Sequence, residues 1–495
     1  MLEKRRTKFS LLCLAGLLGA CSMIPTYDKP AAPVATDWPV RNVATASTSA
    51  LPAADVEWQS FFSDARLKQL ITVALKNNRD LRVAVLNIEL ARAQFQIKRA
   101  DQNPTVNLAT TGSRQPGARS ANGNGTIAST YTAGLAVTAY ELDFFGRVAS
   151  LKEQALAQYL ATEEGRKTAQ ISLVASVANT YLSLLADDEL LAITQQTLVT
   201  RVESLRLSQL RFDNGVTSEL DVRQAESLTE AARVSLAQLV RQRALDENAL
   251  TLLIGQPITP DLAVVLQAGK GLADTPMMAN VPVGLPSEVL ARRPDIRQAE
   301  QQLLAANANI GAARAAFFPR ISLTTSVGSA SSSLSGLLKS GSWGWTLAPQ
   351  LLLPIFDAGR NQAGLGSANV GRDIAVAQYE KSIQTAFREV ADALAGQATL
   401  GEQLRAQQAQ ATAEVVRAKL ADLRYKNGIA SALDALDAQR SLFNVQQALV
   451  QTRLAQLQSQ VTLYKTLGGG WKDAAVAAAP CGHQVRVGSP DCPGS

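Results

Sequence analysis

The chain repeats itself. Arg211-Phe212-Asp213-Asn214-Gly215-Val216, followed by Leu220-Asp221, returns 213 positions later as Arg424-Tyr425-Lys426-Asn427-Gly428-Ile429, followed by Leu433-Asp434. At the same offset Arg147 maps to Arg360, Val177-Ala178 to Val390-Ala391 and Ile254-Gly255 to Leu467-Gly468. At an offset of 215, Asp80-Leu81-Arg82 maps to Asp295-Ile296-Arg297, and Pro104, Val106 and Leu108 map to Pro319, Ile321 and Leu323. An offset that holds over so long a stretch makes each half one structural unit.

Each unit reads as helix, strand, strand, very long helix, turn, long helix. No proline falls between Pro116 and Pro257 or between Pro354 and Pro480, so nothing obliges the helices there to break. Leu433, Leu436, Phe443, Val450, Leu454, Leu457, Val461 and Tyr464 recur in steps of three and four, a coiled-coil seam. Asn214-Gly215 and Asn427-Gly428 supply the turns. The first repeat is expected over 63–256, with strands near 104–112 and 130–143 and helices near 147–213 and 218–254. The second is expected over 286–470, with strands near 319–328 and 342–355 and helices near 360–426 and 431–467. Residues 257–285 join them, and 471–495 form a tail. A continuous helix over 147–213 would be roughly 100 Å long, far more than a compact domain needs.

The strands are two-faced. Trp343, Trp345, Leu347, Pro349 and Leu351 alternate with Ser342, Gly344, Thr346, Ala348 and Gln350, and 131–140 behaves alike. Loops rich in Gly, Ser and Asn are expected over 112–130 and 328–341. These strands alone suit a soluble sheet on helices as well as a membrane barrel with a wet lumen. The N-terminus decides between them. Lys4-Arg5-Arg6 and Lys8 precede an apolar Phe9–Leu18 run, and Leu18-Gly19-Ala20-Cys21 ends it, the pattern of a lipoprotein signal peptide over 1–20. Cys21 is the expected lipidation site, opening an extended segment over 21–62 anchored in outer-membrane lipid, with no transmembrane helix expected. Four strands cannot enclose a lumen, so several copies are expected to contribute, two giving eight strands and three giving twelve.

Composition excludes other classes. Forty-eight Lys and Arg face 42 Asp and Glu, a formal charge of +6, and without residues 1–20 the balance falls to 44 against 41. So small an excess argues against nucleic-acid binding. His483 is the single histidine, which removes histidine-based metal and acid–base chemistry from the body of the chain. No metal, cofactor or catalytic constellation is expected, and the chain reads as no enzyme. Cys481 and Cys492 could close a loop in an oxidising compartment.

Glu141-Leu142-Asp143-Phe144-Phe145-Gly146-Arg147, Arg292-Arg293-Pro294-Asp295-Ile296-Arg297, Ala315-Ala316-Phe317-Phe318-Pro319, Leu353-Pro354-Ile355-Phe356-Asp357-Ala358-Gly359-Arg360 and Leu433-Asp434-Ala435-Leu436-Asp437-Ala438-Gln439 resemble the outer-membrane efflux protein family, in its OprM-like lipoprotein branch. The resemblance covers nearly all of 21–470. It implies a mainly α fold with a membrane β-barrel, a homotrimer with twelve strands and an α-helical periplasmic tunnel. Its implied partners are a periplasmic adaptor and an inner-membrane proton-driven resistance-nodulation-division transporter, and its implied role is the passive exit duct of multidrug efflux. A duct for protein secretion or metal-ion efflux, or a non-conducting scaffold, are the alternatives. Only four Met and one His exist, none in the expected strands, against a metal-ion duct, and a scaffold has no use for amphipathic strands.

Two sites follow. The turns, with Asn214, Gly215 and Val216 in one and Asn427, Gly428 and Ile429 in the other, are expected at the periplasmic tip as adaptor-docking sites. A gate is expected just inside them, where the family places its aperture. Leu433 would form a dry ring, Asp434 and Asp437 a ring of carboxylates attracting cations, and Tyr425 would hydrogen-bond Asp221 of a neighbouring helix pair.

Overall fold

The computed structural model describes residues 22–39, 52–116, 127–260, 262, 271–276, 278–279, 283, 286 and 291–472. Cys21, Cys481, His483 and Cys492 lie outside them, and with them the expectations on lipidation and on the tail beyond Lys472. The described elements are α1 (Ala65–Asn77), α2 (Arg79–Ala100), β1 (Val106–Pro116), β2 (Ile127–Leu142), α3 (Arg147–Asp213), α4 (Glu219–Ile254), α5 (Pro294–Ala315), β3 (Arg320–Ser331), β4 (Trp343–Leu352), α6 (Arg360–Lys426) and α7 (Ala432–Thr466), with short 3-10 and one-turn helices between. The chain is mostly helical with one antiparallel sheet. It forms two compact units.

The strand unit holds Leu86–Glu164, Arg297–Ser382 and the segment ending at Ala32. Its sheet runs β1-β2-β3-β4, so β1 and β4 are its two edges. Register stacks like on like. Leu108, Leu135, Val327 and Trp345 stand in one row across four strands, and Val106, Val137, Thr325 and Leu347 in another on the same face. The rows between are Asn107, Ala136, Ser326 and Thr346, then Ala109, Gly134, Gly328 and Gly344. One face is therefore apolar and the other small and polar. Trp343, Trp345, Leu347 and Leu351 all stand exposed. Gly134 faces Gly328 so closely that a Cβ on either would lie 2.3 Å from a carbonyl oxygen of the other strand.

The strand ends differ from the pattern in the residues. β1 continues past Gly112 to Pro116, and β2 begins at Ile127, because main-chain pairing from Gly112–Tyr131 to Pro116–Ile127 needs no apolar alternation. β4 stops at Leu352, short of 355, just before Pro354, which has no N–H to pair. Beyond the sheet, the chain after residue 21 lies on α5. Asn307 donates to the Pro25 carbonyl (2.9 Å), and Lys29 pairs with Glu300 (2.9 Å). A Cβ on Gly311 would strike Ile24 and Ser150, so glycine there is what lets the segment lie flat.

The helical unit holds Pro33–Val85, Gly165–Ile296 and the chain from Ile383. Its core joins Phe61, Phe62 and the apolar face of α1 to Val174, Val177, Tyr181 and Leu182 of α3, Leu250 and Ile254 of α4, and Val450, Leu457, Val461 and Tyr464 of α7. Tyr464 stacks on Phe61 with ring centres 3.9 Å apart and donates to the Val56 carbonyl (2.6 Å). Tyr181 donates to Asp64 (2.8 Å), the carboxylate that caps α1. α3 contains a stretch long and apolar enough to cross a membrane, and two thirds of it is buried in the protein, as core packing accounts for.

Candidate functional site

Both helix-to-helix turns of the helical unit are built alike. Gly215 and Gly428 sit at φ 70° and 74°, and nothing lies within 4 Å of a Cβ placed on either, so the left-handed backbone and not lack of space demands glycine. Gly215 N–H donates to Phe212 and Val216 N–H to Arg211. Gly428 donates to Tyr425 and Ile429 to Arg424, the paired bonds of a Schellman ending. Asn214 and Asn427 each donate their side-chain amide to the carbonyl four residues back, Leu210 and Leu423, at 2.7 Å. Ser218 and Ser431 open the following helices in capping boxes with Asp221 and Asp434. Val216 (74 %) and Ile429 (69 %) are left exposed at the turns.

The carboxylates differ. Asp221 accepts from Thr217, Ser218 Oγ (3.0 Å) and Ser218 N–H, and the Thr217 hydroxyl leads in holding it below the usual carboxylate range. Ala430 stands where Thr217 does, so Asp434 accepts only from Ser431. Asp437 lies between Arg417 of α6 (2.7 Å) and Arg440 of α7 (2.5 Å), and both, Arg417 foremost, hold it below the usual range. The charge at Asp437 is thus compensated within the chain, which opposes its counting as a bare member of an acidic ring. Tyr425 carries the Arg211 guanidinium over its ring at 4.4 Å. Within this chain Tyr425 and Asp221 are engaged separately and are not brought together.

Leu433 is 58 % exposed at the start of α7. It lines a cavity of about 370 Å³ between α4 and α7 with Leu436, Asp437, Arg440, Arg223 and Gln224. Gln224 Oε1 is enclosed there without a hydrogen-bond partner. Asp434 and Asp437 line a larger hollow of about 800 Å³ against α6, with Arg417 and Arg424. Three arginines, Arg417, Arg440 and Arg223, are the members of this site that sequence reasoning missed. Arg417 was out of reach because it sits across the turn from Asp437. Arg440 was within reach, three positions beyond Asp437 on the same helix. Among the described residues no group of three or more His, Cys, Asp or Glu could hold a metal ion.

Comparison with known proteins agrees over most of the chain. The family model for outer membrane efflux protein matches residues 70–256 and 285–469. The antibiotic efflux pump outer membrane protein ArpC of Pseudomonas putida is 50% identical over 469 residues, 94% of this chain and 96% of that protein. The toluene efflux pump outer membrane protein TtgC, also of Pseudomonas putida, matches to the same extent. Among solved structures, the open state of the Neisseria gonorrhoeae MtrE outer membrane channel superposes with a TM-score of 0.81 at 41% identity, covering 91% of this chain and 99% of that one.

Proposed function

The chain belongs to the outer membrane efflux protein family, and from that premise we propose how it builds and closes its channel. It is an outer-membrane exit duct of an efflux system and not an enzyme. The observation that carries the reading is the sheet: an apolar face, a small polar face, and two edges, β1 and β4, that no strand among the described residues covers. In hydrocarbon an uncovered edge leaves its N–H and C=O groups unsatisfied at several kcal/mol each, so β1 of one copy must pair with β4 of another. Three copies give twelve strands and a water-filled lumen onto which the Ser326, Thr346 and Asn107 face turns.

Cys21 carries the lipid that anchors each copy, and the ordered path of residues 22–32 along α5 supports an anchor held close to the strand unit. The duct works with a periplasmic adaptor and an inner-membrane transporter of the resistance-nodulation-division class. Val216 and Ile429, exposed on rigid Schellman turns, are the apolar contacts that dock the adaptor, with Asn214, Gly215, Asn427 and Gly428 setting their geometry. Leu433 closes the gate, and Asp437, clamped by Arg417 and Arg440, ties α6 to α7 behind it. Asp434 holds the first turn of α7, while Tyr425 hydrogen-bonds Asp221 of a neighbouring helix pair in the closed assembly. The relatives' names point to antibiotics and toluene as their cargo, and apolar antibiotics and solvents are the class proposed for this chain.

The test is electrical. Leu433→Gly with Asp437→Ala, reconstituted as the assembled protein in planar bilayers, is expected to raise single-channel conductance and admit large antibiotics that the wild-type channel excludes. Wild-type conductance in a correctly assembled double variant would place the gate elsewhere.

A further inference from the structure

Among the described residues two arginines of the helical unit are buried, and their surroundings are opposite. Arg293, 6 % exposed, meets Asp295 (2.6 Å), Glu389 (2.8 Å) and the Thr466 carbonyl (2.8 Å), and these partners outweigh its burial and raise its pKa. Arg201, 3 % exposed in α3, meets no carboxylate. Burial alone acts on its guanidinium and pushes it below its usual range. Its Nη1 donates to the Leu228 carbonyl (2.7 Å), and its central carbon lies 5.0 Å from the ring centre of Phe443. Its Nε is shut from solvent and has no partner.

A buried cation without a counter-charge is costly, and one ring face returns only about 1–2 kcal/mol of that. The same arginine lines a cavity of about 350 Å³ between α3 and α7. Gln196 and Thr200 of α3 and Gln439 of α7 supply polar wall, and Leu442 and Phe443 supply apolar wall. Gln439 Oε1 is likewise enclosed and unpartnered. A lipid tail would bring no charge to meet the guanidinium, and no carboxylate stands in this chain's own wall. A carboxylate is the organic anion that meets a guanidinium through charge-assisted hydrogen bonds. The volume lies at the lower end of the range of small-molecule sites.

We propose that the cavity between α3 and α7 is a binding site for a small organic carboxylate, whose charged head pairs with Arg201 and whose apolar body rests on Leu442 and Phe443. The site lies apart from Leu433 and Asp437, and it stands whether or not the gate is where it is proposed above. With the anion in place the charge of Arg201 is neutralised, and α3 and α7 are held by one shared ligand.

Benzoate titrated calorimetrically into the full-length, detergent-solubilised assembly is expected to bind saturably at one site per chain, while benzamide, its neutral isostere, does not. Arg201→Gln is expected to weaken benzoate about tenfold or more. Because that variant disturbs a buried position, Thr197→Leu, at another α3 position of the cavity wall, serves beside it: it keeps Arg201 and fills the cavity, and it too is expected to abolish binding. Benzoate and benzamide binding alike, no binding by the wild-type assembly, or full affinity in Thr197→Leu would overturn the proposal. Inorganic phosphate binding more tightly than benzoate would overturn the choice of a carboxylate.

Discussion

At the scale of single residues, two positions carry opposite demands. Asp187, 6 % exposed on α3, is pushed up to about 7 by burial and by the neighbouring carboxylate of Asp246 of α4, with Asp188 adding to the effect and Arg243 opposing it. Its folded pKa stands above its unfolded one, so the folded chain keeps a proton that the unfolded chain releases. The stability this contributes is complete below about pH 4 and is lost as pH rises toward about 7. Asp187→Asn keeps a hydrogen-bonding group and cannot ionise. It is expected to raise the stability of the detergent-solubilised protein by roughly 1–2 kcal/mol at pH 8 and by nothing at pH 4, read as thermal midpoints by circular dichroism. An equal gain at both pH values would contradict the assignment. Gly134 makes a steric demand, since its missing side chain lets β2 and β3 approach at Gly328. Gly134→Val is expected to cost about 3 kcal/mol or more, and the folded, membrane-extracted yield should fall while Gly344→Val, where a Cβ meets nothing, leaves it unchanged.

At the scale of elements, the duplication lets one repeat serve as the control for the other. Both α4 and α7 begin with a capping box, but Thr217 adds a hydroxyl to Asp221 that Ala430 cannot offer to Asp434. Ser431→Ala therefore strips the first turn of α7 of its cap, at a cost of about 1 kcal/mol, whereas Ser218→Ala leaves Thr217 on Asp221 and costs less. Amide exchange should quicken at 432–436 in the first variant more than at 219–223 in the second, and equal effects would deny Thr217 its part. The helices were legible because proline is absent across them and Asn-Gly marks where they turn. The strand faces were legible because their chemistry alternates every second residue. The β-bulge between Val137 and Tyr140, with Ala139 at φ 53°, was not, because alanine carries no signature of left-handed backbone. Nor were the Arg417–Asp437 pair and the cavity at Arg201. An arginine in a long polar helix reads as a solvated face until packing encloses it, and pairing across a turn depends on how two helices meet.

At the scale of the whole molecule, the sheet of one chain is unfinished. β1 and β4 each present one row of main-chain groups with no strand partner among the described residues, and Pro349 sits in β4, where an edge strand tolerates a missing N–H. Closure by copies of the same chain is the way to meet those groups in lipid, and the number of copies is open to direct counting. Starting from a variant in which Cys13, Cys21, Cys481 and Cys492 are replaced by Ser, single cysteines placed on the small polar face of β1, at Asn107 or Ala109, and of β4, at Gly344 or Thr346, should form disulfides between copies. Each copy offers one β1 and one β4, so oxidation should yield covalent species that grow to three chains and stop. The Cys21→Ser background also separates anchor from assembly: lipid labelling should vanish while the three-chain product persists, because strand and helix contacts far exceed what one lipid chain contributes. A ladder ending at two chains would replace twelve strands with eight, and a ladder running on beyond three would mean that the edges do not close.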